Sequence, residues 1–383
     1  MIPLNIPNLD LEDKSSLIDA FDSGWISSAG PDIAIFEDNF RDHIGSKFAV
    51  ACSSGTSALH SSLIIKGVNS ESDVLLPALS FIATANAIRY CNATPIFIDI
   101  NKETLAIDFN VAKEFIYENY TRKAEAFYNN TSGNILKAIL PVHMLGSPFD
   151  LDELKKFKQE FNLEVVIDSA EALGSKFKDK NIGSDNFINC FSFNGNKIIT
   201  TGGGGLITTH SSEEAKRLKH LTTTAKTDPV FFVHDEVGFN YRLINLLARL
   251  GISQLKKLDR FIEAKRNIQN IYSQELNSEY CNVFSEPKLS KSNYWLNMLT
   301  FSETIIKKYG LKKIIENLWN AGIEVRPMWS IITDLEPYKN FQRSGLNETS
   351  KIWSASICIP SSTNLSEIDQ SYVIDSIKKL VKH

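Results

Sequence analysis

The stretch FSFNGNKIITTGGGG, residues 191–205, ends one apolar run and opens another. Its first residues close INCFSF (188–193), and its last glycine starts GLITT (205–209). Runs this short, rich in β-branched and aromatic side chains and bounded by Asn, Ser and Gly, read as buried strands. Lys197 stands on the loop between them, amid an otherwise buried pattern. A lysine is most often a solvated surface residue, but one held half-buried can supply the free amine that carbonyl chemistry needs. Gly202, Gly203, Gly204 and Gly205 invite a dinucleotide-loop reading. That reading is weak, because the glycines lead into a strand and show no GxGxxG-then-helix order.

Outward from this loop, the first two-thirds of the chain alternates β-rich runs with helical patterns, the mark of a mainly parallel sheet covered by helices. Besides the two runs above, strands are predicted at FAVAC (48–52), DVLLP (73–77), PIFIDI (95–100), KAILPVH (137–143) and EVVID (164–168). Helical patterns such as TSALHSSLIIKG and DLDELKKFKQEFN lie between them, the second opened by an Asp suited to an N-cap. The polar stretch NYTRKAEAFYNNTSGN (119–134) has little periodicity and is expected as a surface excursion. Beyond Asp235 the texture changes. Apolar residues recur at helical spacing through LINLLARLGISQLKKLDRFIEAKRNIQNIYSQELN, predicting one or two long helices that lead to a smaller α+β unit. The expected division is a large domain at 1–240 and a small C-terminal domain at 241–383.

Bulk properties narrow the function. The 383 residues carry 41 Lys and Arg against 45 Asp and Glu, a net charge of −4, which gives no reason to expect nucleic acid or an anionic membrane as partner. Five scattered cysteines with no CxxC pair support neither a disulfide framework nor a zinc site, and no metal is expected. The N-terminus lacks a basic start followed by an apolar core, and no apolar run is long enough to span a bilayer. The chain reads as a cytoplasmic protein.

Three features carry chemistry. SSGTSALH (53–60) follows a strand and opens a helix, so the backbone N–H groups near Gly55, Thr56 and Ser57, with the neighbouring hydroxyls, form either a simple helix cap or a phosphate cradle. Asp168 ends the strand EVVID, where it is either a helix N-cap or an acid able to pair with a protonated ring nitrogen. Lys197 is the third. His143 lies at another strand end, where it is either a packed histidine or a substrate or cofactor contact, and Phe81, just past a strand, is either a core aromatic or a stacking surface for a planar ring. Arg326 in GIEVRPMW, with Trp329 beside it, is a candidate substrate contact through its guanidinium. A cradle, an acid and a lysine at the ends of successive buried strands are together what pyridoxal phosphate requires.

At this point the chain resembles the DegT/DnrJ/EryC1/StrS family of sugar aminotransferases. The resemblance runs nearly end to end. Besides the opening stretch and SSGTSALH, it is carried by PALSFIATANAIRYCNATPIFIDI (77–100), VVIDSAEALGS (165–175), HDEVGFNYRLIN (234–245), GIEVRPMW (322–329) and IPSSTNLSE (359–367). It implies an α/β fold, the fold type I of PLP-dependent transferases (aspartate-aminotransferase-like). Such a fold has a central, mostly parallel seven-stranded sheet with helices on both faces and a smaller α+β C-terminal domain. By the same resemblance Lys197 is the Schiff-base lysine and Asp168 the partner of the pyridine nitrogen. Gly55, Thr56, Ser57 and Ser192 fall in the phosphate site, Phe81 stacks on the ring, and Glu171 lies near the phenolic oxygen. Asn240 reaches the cofactor phosphate of a neighbouring subunit, which implies a homodimer with shared active sites.

Within the family, FNGNKIITTGGGG with DSAEALGS looks most like enzymes that aminate C4 of a UDP-linked 4-keto-6-deoxy-N-acetylhexosamine, with L-glutamate as donor, as in legionaminic-acid synthesis. GDP-perosamine synthases are the near neighbours. Retention of Lys197 argues against the family's sugar dehydratases, where His takes that place. Three departures stand out. Ile167 replaces an acid that commonly precedes the key Asp, Glu171 stands where many relatives have Gln or His, and Thr333 stands where close relatives often carry His.

Overall fold

The computed structural model describes residues 1–228 and 230–382. Its main sheet follows the order Phe48–Cys52, Gly205–Thr209, Ile188–Ser192, Glu164–Asp168, Ile135–Ile139, Ser72–Pro77 and Thr94–Ile98. Gly205–Thr209 is antiparallel to both neighbours, while the other pairings along this path are parallel. These are the seven expected strands with their ends displaced by a few residues. The clearest displacement has a cause. Strand Ile135–Ile139 stops just before Leu140 and Pro141, a residue with no N–H for a ladder, and Val142 then makes a single bridge to Asp168.

Alternate residues of each strand enter opposite cores, so both faces are buried. Val74 and Leu76 pack with Ala58, Leu63 and Ile88 of the helices Gly55–Ile65 and Ile82–Tyr90 on one side. Leu75 packs with Ala112, Ile116 and Phe157 of the helices Phe109–Asn119 and Leu151–Phe161 on the other. Phe36, Phe40, Phe191 and Phe193 form an aromatic cluster under the lysine loop, with rings in edge-to-face contact.

The polar stretch 119–134 departs from expectation. Tyr120–Lys123 and Ala126–Asn129 form an antiparallel hairpin, and Tyr128 pairs with Ile135, so among the described residues the main sheet has nine strands. The reason is a few inward anchors in an otherwise exposed segment. Phe127 is buried, and Tyr120 Oη and Asn129 Nδ2 donate to the buried carboxylate of Asp73 at 2.8 and 2.6 Å.

A second antiparallel sheet, Cys281–Val283, Asn297–Phe301, Ser356–Ile359 and Arg326–Pro327, is packed by the helices Leu258–Leu276, Leu311–Asn320 and Glu367–Lys382. The helix Asn245–Leu255 packs on Leu11–Asp22 and Asp32–Ile44 and so sits with the first body. In the next helix Phe261 joins the first core, while Ile268, Tyr272 and Leu276 join the second. The packing therefore passes from one body to the other partway along Leu258–Leu276, later than residue 240. No helix among the described residues is long and apolar enough to cross a membrane.

Candidate active site

Because six of the seven strands run the same way, their carboxyl ends share one edge of the sheet, where α/β folds bind ligands. Segments at five of these ends, with Trp295 and Trp329 of the second body, line a cavity of about 300 Å³.

The first end leads from Cys52 into the helix Gly55–Ile65. Ser54 caps it: its Oγ accepts from Ser57 N–H at 3.0 Å, and Ser57 Oγ accepts from Ser54 N–H at 2.9 Å. This reciprocal pair places Ser57 in the cap and away from the cavity wall. The N–H groups of Gly55 and Thr56, which the cap does not take, remain at the helix start, where the dipole favours an anion. Gly55 and Thr56 line the cavity with Ser192, the end of the neighbouring strand. A Cβ on Gly55 would stand 2.9 Å from Ser192 Cβ, so glycine permits this close approach.

Gly205 pairs with both Cys52 and Ser192 and thereby ties the lysine loop to the cradle. A Cβ there would meet Ser54 O at 2.3 Å. Gly204 (φ +144°) and Gly202 (φ +80°) have the backbone angles that side chains disfavour. Ile198 and Ile199 anchor the loop in the core, and Thr201 N–H donates to Phe193 O at 3.0 Å.

Asp168 ends the central strand. Thr84 Oγ1 donates to its Oδ2 at 2.7 Å and Ala170 N–H to its Oδ1 at 3.1 Å, so each oxygen keeps capacity for another donor. Burial pushes its carboxyl above the usual range, and Thr84, Ala170 N–H and Lys197 pull it back. Glu171, in the turn three residues past the end of the strand, accepts from Leu145 N–H at 2.7 Å. Burial pushes Glu171 up to about 7, with Lys197 opposing the shift. Lys197 Nζ lies 3.7 Å from Glu171 Oε1 and 3.9 Å from the centroid of the Trp295 indole.

Lys197, Asp168, Glu171, Gly55, Thr56, Ser192, Phe81 and Trp329 are thus brought to one cavity. Other expected residues lie elsewhere. His143 is fully buried behind the wall, stacked on Phe149 at 4.3 Å, and burial pulls its imidazole down to about 3, so it is neutral. The expected substrate contact of His143 is not offered by this geometry. Arg326 is exposed, pairs with Glu324 at 2.8 Å and faces an adjoining hollow that shares Trp295 and Trp329 with the cavity. Asn240 is exposed and outside its own chain's cavity, accepting from Arg242 Nε at 3.3 Å. Far from these, His220, Asp235 and Glu236 come together, but Arg217 Nη2 holds the Glu236 carboxylate at 2.6 Å.

Two residues escape the sequence reading. Thr84 sits in a helix pattern with nothing to mark its hydroxyl. Trp295 comes from a segment almost a hundred residues past Lys197 and reads as ordinary core.

The donors present fit pyridoxal phosphate. Free backbone N–H groups and a serine hydroxyl suit a phosphate, a buried carboxylate suits a protonated ring nitrogen, and a lysine amine suits a carbonyl.

Comparison with known proteins agrees. The chain is 31% identical over 383 residues to the GDP-perosamine synthase of Caulobacter vibrioides, covering 99% of this chain and 98% of the relative. It is 30% identical over 389 residues to the UDP-4-amino-4,6-dideoxy-N-acetyl-beta-L-altrosamine transaminase of Campylobacter jejuni, covering 100% and 98%. The structure of Helicobacter pylori PseC, an aminotransferase involved in the biosynthesis of pseudoaminic acid, superposes with a TM-score of 0.88 at 24% identity, covering 100% and 99%. The model of the DegT/DnrJ/EryC1/StrS aminotransferase family matches residues 7–378, and with a lysine, an acid and a phosphate cradle joined in one cavity, the chain belongs to that family.

Proposed function

We propose that this protein moves the amino group of L-glutamate to C4 of a nucleotide-linked 4-keto-6-deoxy sugar, with pyridoxal phosphate as cofactor. The observation that carries the reading is the convergence of Lys197, Asp168 and the Gly55–Thr56–Ser192 cradle on one cavity. When bound there, the cofactor supplies a carbonyl for amines and a conjugated ring that accepts the electron pair left by a broken C–H bond.

The chain's residues do the rest. Gly55 N–H, Thr56 N–H and the Ser192 hydroxyl bind the phosphate. Asp168, held by Thr84, keeps a proton at the ring nitrogen, and Phe81 covers the ring face. Lys197 would hold the cofactor through its amine and, when that amine is free, would move a proton at Nζ. Glu171, beside Lys197, would meet the cofactor's phenolic oxygen. Arg326 and Trp329 bound the substrate side. Asn240 serves the partner's site in a homodimer, so each cavity is completed by a second copy.

For the sugar we favour a UDP-linked 4-keto-6-deoxy-N-acetylhexosamine, on a cytoplasmic route to a surface glycan of the legionaminic-acid type. The sequence pattern around Lys197 and Asp168, and the Campylobacter jejuni transaminase at 30% identity, support it. A second reading, a GDP-linked 4-keto-6-deoxymannose, is favoured by GDP-perosamine synthases of Caulobacter vibrioides and Escherichia coli O157:H7 at 31% and 33% identity.

The test is a panel of UDP- and GDP-linked 4-keto sugars with L-glutamate, read by product mass, together with borohydride reduction and peptide mapping. Amine gain on the UDP sugar and a cofactor tag on Lys197 are expected. Amine gain on the GDP sugar alone moves the substrate to the second reading. Sugar deoxygenation without amine gain, or a tag on another lysine, overturns the function.

A further inference from the structure

The Lys197 amine is bounded on two sides. Glu171 Oε1 stands 3.7 Å from Nζ, and the Trp295 indole centroid stands 3.9 Å from it. The indole is itself fixed. Its Nε1–H donates to the carbonyl of Asn196, the residue before Lys197, at 2.6 Å. Its backbone N–H donates to Asn293 Oδ1 at 2.8 Å, and its carbonyl accepts from Lys265 Nζ at 2.8 Å. Trp329 stacks on it with an interplanar angle of 8°. The ring is therefore rigid and is fastened to the very loop whose lysine it faces.

The physical consequence follows from the difference between the two walls. A carboxylate attracts an ammonium but also competes for its proton. An aromatic face attracts the ammonium and offers no base. Lysine has a flexible four-carbon stem, and a reacting group left to sample many rotamers loses the advantage of proximity.

We propose that Trp295 is a positioning residue for Lys197: fastened to the lysine's own loop, its indole face confines the amine nitrogen whenever that nitrogen is not in covalent use. This rests on the reading of Lys197 as the reactive amine given above. No bond is made or broken at Trp295.

The test separates the π face from mere volume. Trp295→Phe keeps an aromatic face, whereas Trp295→Leu and Trp295→Met, nearer to Phe than to Trp in volume, lack one. The full-length protein freed of cofactor is treated with cyanate, and carbamoylation of Lys197 is followed by peptide mass spectrometry. Loss of the π face both uncovers the nitrogen and removes an attraction for its protonated form. Lys197 is expected to label about two- to tenfold faster in the Leu or Met variant, in keeping with the strength of a cation–π contact. The Phe variant, which keeps an aromatic face but loses the indole N–H tie to Asn196, is expected to label at a rate between those and the wild type. With α-deuterated L-glutamate and the loaded enzyme, the Leu variant should show a lower kcat, a larger primary isotope effect and an unchanged KM for glutamate. Equal labelling of the Phe and Leu variants overturns the proposal, and so does labelling of Leu and Met at the wild-type rate. A wild-type enzyme that transfers no amine, or whose Lys197 is not tagged by borohydride, instead overturns the underlying reading of the lysine.

Discussion

Thr84 Oγ1 and Asp168 Oδ2 are 2.7 Å apart in a buried pair, one from the helix beyond the second strand and the other from the end of a central strand. A buried carboxylate is costly unless its charge is met by donors, and Thr84 is the side-chain donor that lowers the acid's affinity for a proton.

Replacing Thr84 with Val keeps the shape and removes that donor. A hydrogen bond to a charged group contributes about 1.5–3 kcal/mol. The Asp168 carboxyl should move further up and hold a ring-nitrogen proton less firmly. The Kd for pyridoxal phosphate, read by absorbance titration of the apo-protein, is expected to rise at least about tenfold, with recovery in Thr84→Ser. A Kd within twofold of wild type would separate Thr84 from cofactor retention.

Glu171 makes a pH prediction with a definite sign. Its folded carboxyl is pushed by burial to about 7, against an ordinary 4.5. A raised folded value means the native state binds more protons than the unfolded chain in this window. The contribution of Glu171 is thus fully present below about 4.5 and is lost as pH rises through about 7, on the order of 3 kcal/mol. In Glu171→Gln this loss should vanish. Urea denaturation of both apo-proteins from pH 5 to 8 checks it: the mutant should gain on the wild type as pH rises, and parallel curves would refute the assignment.

Which parts of this site were legible in the sequence depends on how each residue acts. Buried parallel strands need apolar side chains at every position, so runs such as EVVID and INCFSF declare themselves, and chemistry at their ends is legible with them. Thr84 and Trp295 act through tertiary contacts that no local period encodes. The hairpin of 120–129 was hidden because Tyr120, Phe127 and Asn129 anchor it to Asp73 and the core while charged residues between them dominate the pattern. His143 shows the converse: a histidine at a strand end looked poised for a substrate, yet its ring turns to Phe149 behind the wall.

The four glycines after the lysine loop should respond unequally. An Ala at 205 would place Cβ 2.3 Å from Ser54 O and 2.7 Å from Gly55 N, backbone atoms that cannot yield without moving the cradle. Gly205→Ala should cost about 3 kcal/mol or more and weaken cofactor binding. Gly202 has open space but φ +80°, so Gly202→Ala should cost about 1–2 kcal/mol from backbone strain. Gly203 has neither a positive φ nor a neighbour within 4 Å, and Gly203→Ala should change stability by less than about 1 kcal/mol. Thermal denaturation of the three variants gives the order directly, and a Gly203 variant as damaged as the Gly205 variant would contradict the contact argument.

Lys265 holds the backbone of Trp295. Fully buried, its Nζ donates to Asn5 Oδ1 at 3.1 Å, Trp295 O at 2.8 Å and Ser361 O at 2.6 Å, joining the N-terminal segment, the Trp295 loop and the second body. Burial pulls its amine down to about 7 from an ordinary 10.5. A depressed folded value places the stabilising contribution above about 10.5 and removes it as pH falls toward about 7. Lys265→Met lacks this titration and leaves three acceptors without a donor. The stability gap between wild type and mutant should therefore widen from pH 7 to 9, by up to about 1.4 kcal/mol per pH unit, in urea denaturation. Limited proteolysis should also find the first ten residues cut faster in the mutant, since Asn5 loses one of its two ties to the body. A gap that stays constant with pH would mean that Lys265 remains an ammonium despite its burial, held charged by its three oxygen acceptors.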